Sequence, residues 1–255
     1  MELHVVSTGN QTAENILSIS RQIYTQVTAI HIREKQWSDE QVYELVQAMR
    51  KEGIPAAAIR LNSRIELAAE QQLGGAHLPE HQSLSQFRSQ PEKQNTTTAL
   101  GSYKIDLGAD RQSSKCAGFA EEPDFATDYS QGNSFLLGRS VHSITQAIQA
   151  EREGMDYLFY GHIYETASKP GVAARGLEQL KQICAAVDIP VIAIGGIEPH
   201  HAEELIGAGA AGIAVMSGIF AAEHPAQQVA AYKAALSAAA SSRISKNGSG
   251  RQETL

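Results

Sequence analysis

Short apolar stretches of strand character alternate with segments of helical periodicity, in units of about 25 residues, along most of this 255-residue chain. Eight such strands can be counted. Two successive strands near the end also finish in glycine-rich turns, and together these observations predict one (β/α)8 barrel.

Leu3 to Val6 is the first strand candidate, followed over Thr12 to Thr25 by a helix whose Ile16, Ile19 and Ile23 share a face. Val27 to Ile32 is the second strand and runs into the charged sequence His31-Ile32-Arg33-Glu34-Lys35. Ser38 then caps a helix carrying Val42, Leu45, Val46 and Met49. Strand alternation sets His31 and Arg33 on one side and Ile32 and Glu34 on the other, so that Arg33 can point into a barrel mouth while a neighbour braces it. A solvated charge cluster is the competing reading of these residues.

Ala56 to Leu61 is the third strand, with Asn62-Ser63-Arg64 at its end and a helix over Ile65 to Gln72. Gly75 to Leu78 is the fourth, ending at Pro79. From about Ser89 to Asn133 the sequence turns polar, acidic and glycine-rich without sustained periodicity, and reads as an inserted loop. Phe135 to Val141 resumes strand character, and His142-Ser143 leads into a helix reaching Glu153. Tyr157 to Tyr160 is the sixth strand, followed by Gly161-His162-Ile163-Tyr164-Glu165-Thr166 and a flexible loop. A last helix from Pro225 to about Ala239 closes a single domain over residues 1–238, and residues 239–255 are expected to be a disordered tail.

The seventh and eighth strands carry the most informative stretch. Val191 to Ile194 is wholly apolar, as suits a strand buried on both faces, and Gly195-Gly196 then turns the chain sharply. Pro199 can open a helix there without forfeiting a donor. The eighth strand, Gly212 to Met216, ends in Ser217-Gly218. Two strand ends thus present bare amides and a hydroxyl side by side, an arrangement suited to phosphate. Glycines serving only tight turns would be the plainer account of either pair taken alone.

The net charge of -7 argues against a large nucleic-acid surface, which needs clustered Lys and Arg. The two cysteines, Cys116 and Cys184, lie far apart without metal-ligand spacing and are expected to be free thiols. No apolar run approaches the length that spans a bilayer, so neither a membrane nor a nucleic acid is expected as a partner, and a cytoplasmic location is. The sequence leaves a homo-oligomer open.

The succession HIRE, LN-x-R, GRSVHS, YGHIYET, IAIGGI and GIAVMSGIF resembles the thiamin phosphate synthase superfamily, and within it the TenI-type thiazole tautomerases. It implies a barrel whose strand ends bind a thiazole phosphate carboxylate. In the synthase branch an Asp-Asp pair follows the third strand and another Asp the fourth, holding Mg²⁺ for a leaving pyrophosphate. Here those places read Asn62-Ser63-Arg64 and Leu78-Pro79-Glu80-His81. The tautomerase branch is therefore expected, an isomerase without metal or cofactor that moves a proton to aromatise an exocyclic-ylidene thiazoline carboxylate phosphate. The resemblance implies His162 as the catalytic acid/base, histidine being the side chain that titrates nearest neutrality. It implies Arg33, with Asn62, for the carboxylate, Gly195, Gly196, Ser217 and Gly218 for the phosphate, and Thr166 as a further substrate contact. His31, Glu34 and His142 would either support the site or touch substrate, while His200 and His201 face solvent. Thiamin phosphate synthase, and a regulatory protein that binds thiazole phosphate without turnover, are the rival readings.

Overall fold

A computed structural model describes residues 1–82, 135–166, 168 and 170–249. The strands are β1 (Glu2–Val6), β2 (Ala29–Ile32), β3 (Ile59–Asn62), β4 (Gly75–Leu78), β5 (Leu136–Val141), β6 (Tyr157–Gly161), β7 (Val191–Ile194) and β8 (Gly212–Val215). They form a closed barrel in sequence order, all neighbours parallel, and β8 returns to β1 with Glu2 opposite Gly212 and Val5 opposite Val215. The chain is a (β/α)8 barrel, as its alternating pattern predicts.

Local chemistry explains the helices. In α1 (Ala13–Ile23) the side chain of Thr12 accepts from the Asn15 amide, and Ile16, Ile19 and Ile23 are buried on one face. In α2 (Asp39–Lys51) Ser38 and Gln41 form a reciprocal capping box, and Val42, Leu45, Val46 and Met49 pack inward. Each fully buried aliphatic side chain contributes roughly 1.5–3 kcal/mol. The remaining helices are α3 (Ile65–Glu70), α4 (Ile144–Arg152), α5 (Gly176–Ala186), α6 (Ala202–Gly207), α7 (Ser217–Phe220) and α8 (Pro225–Ser249).

Three expectations are corrected. Ala56–Ala58 is a turn of 3-10 helix rather than the start of β3, because Pro55 leads into it and the Ala58 amide closes back on the Pro55 carbonyl. Ser217 and Gly218 begin a short helix instead of a turn. The final helix continues through Ser249, past the boundary expected at 238, since after Pro225 at its start it is rich in alanine and carries no further proline. The insert expected at 89–133 and residues 250–255 lie outside the described residues.

The barrel holds two kinds of core. The space between sheet and helices is aliphatic. Inside the barrel Val6, Tyr157, Phe159, Ile192 and Ala214 pack together with buried polar residues, namely His4, His31, Arg60 and His77. His77 lies against Phe159 at 4.2 Å between ring centres, and His31 lies 5.7 Å from His77. Burial holds all three imidazoles below their ordinary range, Arg60 pushes each the same way, neighbouring histidines add to this for His31 and His77, and His77 falls to about 3. Glu2, hydrogen-bonded to His4, opposes this for His4 alone.

In the unfolded chain these rings titrate near pH 6.5, so below that pH the unfolded state takes up protons that the folded barrel refuses. Stability is therefore full above about pH 6.5 and falls as the pH drops toward 3, by about 1.4 kcal/mol per pH unit for each ring kept neutral. Urea unfolding between pH 7 and 4 should show this loss, and His77→Gln should reduce its slope by about one proton. An unchanged slope in that variant would remove His77 from the account.

Candidate active site

The carboxyl ends of the strands open onto one cavity of about 1100 Å³. Arg33, Asn62, His162, Thr166, Gly195, Gly196, Ser217 and Gly218 all line it, although they come from β2, β3, β6, β7 and β8 and the turns that follow them. The barrel's parallel closure is what gathers them, because every strand ends at the same face.

On one side stand the glycine turns. Among the described residues the amides of Gly195, Gly196, Ser217 and Gly218 have no acceptor, so four donors and the Ser217 hydroxyl remain for an anion. Gly196 has φ +66°, and a Cβ there would lie 2.3 Å from the Glu165 carbonyl oxygen, so the turn needs glycine for its own geometry. A Cβ on Gly195 would meet the Cβ of His162 at 2.5 Å. The turn after β7 and the residue after β6 are thus packed directly on each other.

Arg33 stands at the end of β2. Its guanidinium reaches the Thr8 carbonyl at 3.4 Å and has no carboxylate partner among the described residues. Burial lowers it from its ordinary value while the Glu34 carboxylate pulls the other way. Glu34 is itself buried and accepts the amides of Gly9 and Gln11, both at 3.2 Å. It braces the first loop beside Arg33. Lys35 and Arg64 line the same side, Arg64 being tied to Asp39 at 2.7 Å and to the Trp37 carbonyl.

His162 is buried, and its Nε2 lies 3.1 Å from the Val172 carbonyl, an oxygen that can only accept. The proton therefore sits on Nε2, and Nδ1, which has no partner, is left as an acceptor. His31 belongs to the barrel interior and does not line the cavity, whereas Glu34 and His142 do. His200 is exposed as expected, but His201 is only half-exposed and stacks on Tyr164 at 3.9 Å. The sequence reading passed over Thr8, Asn10, Lys35, Ser140 and Phe159, which also line the mouth. Ser140 and Phe159 could have been found by counting back in twos from His142 and Gly161.

A magnesium site does not fit the ends of β3 and β4. Asn62, Ser63, Arg64, Pro79, Glu80 and His81 stand there, and no group of three His, Cys, Asp or Glu able to hold a metal occurs among the described residues. Glu80 is already engaged by Gln146 and lies 3.4 Å from His142. No described helix is long and apolar enough to cross a membrane.

Residues 126–219 match the family described as Thiamine monophosphate synthase. The matched segment runs from β5 through the glycine turns and leaves out β1 to β4. Thiamine-phosphate synthase of Clostridium acetobutylicum is 46% identical over 36% of this chain and 44% of its own length. That of Chloroflexus aurantiacus is 48% identical over 34% and 41%. The chain thus spans less than half the length of these relatives. Among solved structures, thiamine phosphate pyrophosphorylase from Pyrococcus furiosus superposes with a TM-score of 0.62 at 23% identity, covering 93% of this chain and 96% of the other. The protein of that name from Bacteroides thetaiotaomicron gives 0.56 at 18%, covering 94% and 98%, and both likenesses speak to the fold. The expectation of an isomerase is overturned, because the relatives are named synthases, which are transferases. That expectation rested on aspartates missing after β3 and β4, and a missing ligand is no positive sign of proton-transfer chemistry. Over residues 126–219 the chain is thus similar to the thiamin phosphate synthase/TenI superfamily, and it shares the barrel fold of these solved structures.

Proposed function

We propose that the chain binds a thiazole phosphate in the barrel mouth and works as a transferase of the thiamine-phosphate synthase kind, joining a pyrimidine diphosphate to it with release of pyrophosphate. One observation carries the reading. Two strand ends offer four unpaired amides and the Ser217 hydroxyl on one side of a cavity whose opposite side holds Arg33, Lys35 and Arg64. The phosphate sits on the amides, where it needs no counter-ion from a side chain. The arginine side takes the second anionic group, Arg33 offering a planar fork that lacks a carboxylate partner among the described residues. At about 1100 Å³ the cavity is a little larger than the range for a single small ligand, which suits two substrates.

Within that reading Asn62 adds a neutral donor, Thr166 lines the phosphate side, and His162 offers Nδ1 as an acceptor held by the Val172 carbonyl. A second reading, binding without turnover, is favoured by the missing metal ligands after β3 and β4.

Thiazole phosphate and pyrimidine diphosphate incubated with the protein should yield thiamin phosphate, detected by oxidation to its fluorescent product, together with pyrophosphate. Binding of the thiazole phosphate with no product would select the second reading, and no binding would sink both.

The phosphate end has its own test by calorimetric titration. Ser217→Ala should weaken thiazole phosphate about two- to tenfold, the range for one hydrogen bond, and leave the dephosphorylated alcohol unchanged. Gly196→Val is a poor probe, since its side chain would enter the Glu165 carbonyl and damage the loop itself. Equal losses for both ligands would separate Ser217 from the phosphate.

Titration of thiazole phosphate in excess chelator should give the same affinity as in magnesium, because the four amides and the hydroxyl need no ion. A large loss on chelation would show that a metal takes part in holding the phosphate.

A further inference from the structure

The last helix reaches both glycine turns through one side chain. In α8 Val229, Tyr232 and Leu236 fall three and four residues apart and are all buried, so their spacing alone makes Tyr232 a core aromatic. A buried phenol still needs a partner for its hydroxyl. The Tyr232 hydroxyl donates to the Ile197 carbonyl at 2.8 Å, in the segment directly after Gly195-Gly196. Burial, and after it the Glu198 carboxylate, push the phenol up to about 12, so the proton stays in this bond throughout the neutral range.

The same oxygen stands against the other turn. A Cβ on Gly218 would lie 2.8 Å from it and 3.8 Å from Cζ of the ring, so the phenol fills the room that a side chain at 218 would take. Tyr232 does not itself line the cavity, whereas Gly195, Gly196, Ile197, Ser217 and Gly218 all do. One rigid group thus touches the segment after β7 and the helix start after β8 from outside the mouth. The unpaired amides of those two segments are the four that the phosphate reading uses. Tyr232 also lies beyond residues 126–219, outside the segment that matches the family.

We propose that Tyr232 is a positioning residue that sets the spacing between the two glycine turns, and with it the fit of their four amides to a phosphate. The phosphate as occupant rests on the proposed function, whereas the bridge between the turns does not. A phenol that served only the core would stabilise the barrel alike for every ligand.

In amide NMR spectra of the unliganded protein, Tyr232→Phe, which removes only the hydroxyl, should shift the resonances of Gly195 and Gly196 and also those of Ser217 and Gly218. Movement confined to one turn, or to neither, overturns the bridge. In calorimetric titration Tyr232→Phe should weaken thiazole phosphate roughly two- to tenfold and leave the dephosphorylated alcohol unchanged. An unchanged phosphate affinity, or equal losses for both ligands, overturns the positioning role. Should Tyr232→Phe not fold, Gly218→Ala carries the test, because its methyl presses on the phenol and should shift Gly195 and Gly196 in the other turn. Unmoved Gly195 and Gly196 resonances in that variant overturn the proposal. If the wild-type protein binds neither thiazole phosphate nor inorganic phosphate, the functional reading falls, and the unliganded spectra decide the bridge by themselves.

Discussion

The pairing of β8 with β1 holds everything else in place. Glu2, Leu3, His4 and Val5 lie opposite Gly212, Ile213, Ala214 and Val215, and a Cβ on Gly212 would lie 2.2 Å from the Glu2 carbonyl oxygen. Parallel neighbours cannot be joined by a hairpin, so this seam between the two ends of the sheet forms only after nearly the whole chain has been wound round. Once it forms, the loops after β1 and β2 come to face those after β7 and β8 across one mouth. Neither the amides of Gly195, Gly196, Ser217 and Gly218 nor the guanidinium of Arg33 would make a site alone.

The outer shell was legible because its signals are local. Ile16, Ile19 and Ile23 announce a helix by their spacing, and Val191 to Ile194 a buried strand by continuous apolar character. Errors fell where a short-range signal was double. Three alanines after Pro55 suit either a strand or a turn of helix, and Ser217-Gly218 suits either a turn or a first helical residue pair. The site was legible as a set of strand ends, and all eight expected residues meet in one cavity. What could not be read was the barrel interior. His4, His31 and His77 stand on different strands, and only the register of β1 to β4 brings them together.

The chemistry was harder to read than the place. Asn62, Ser63 and Arg64 at the end of β3 say what the barrel does not use to hold a metal, and little about which bond it makes. The positive marks lie in the second half of the chain, where the family match and the glycine turns coincide. The first half supplies Arg33 on a strand end fixed by Glu34, which ties the loop after β1 to the end of β2 through the amides of Gly9 and Gln11. A change in that loop would be felt at Arg33, since a Cβ on Gly9 would lie 3.3 Å from the guanidinium.

The contrast between the two cores bears on heat capacity. Exposure of apolar surface raises the heat capacity of unfolding and exposure of polar surface lowers it. The aliphatic layer between sheet and helices therefore supplies most of the curvature in stability against temperature, while the polar atoms of the imidazoles, the guanidinium and the phenol among the apolar side chains inside the barrel subtract from it. A barrel filled with aliphatic side chains and wrapped in the same helices would have a more sharply curved profile. This chain should have a flatter one, with its cold and warm limits set further apart for the same maximum.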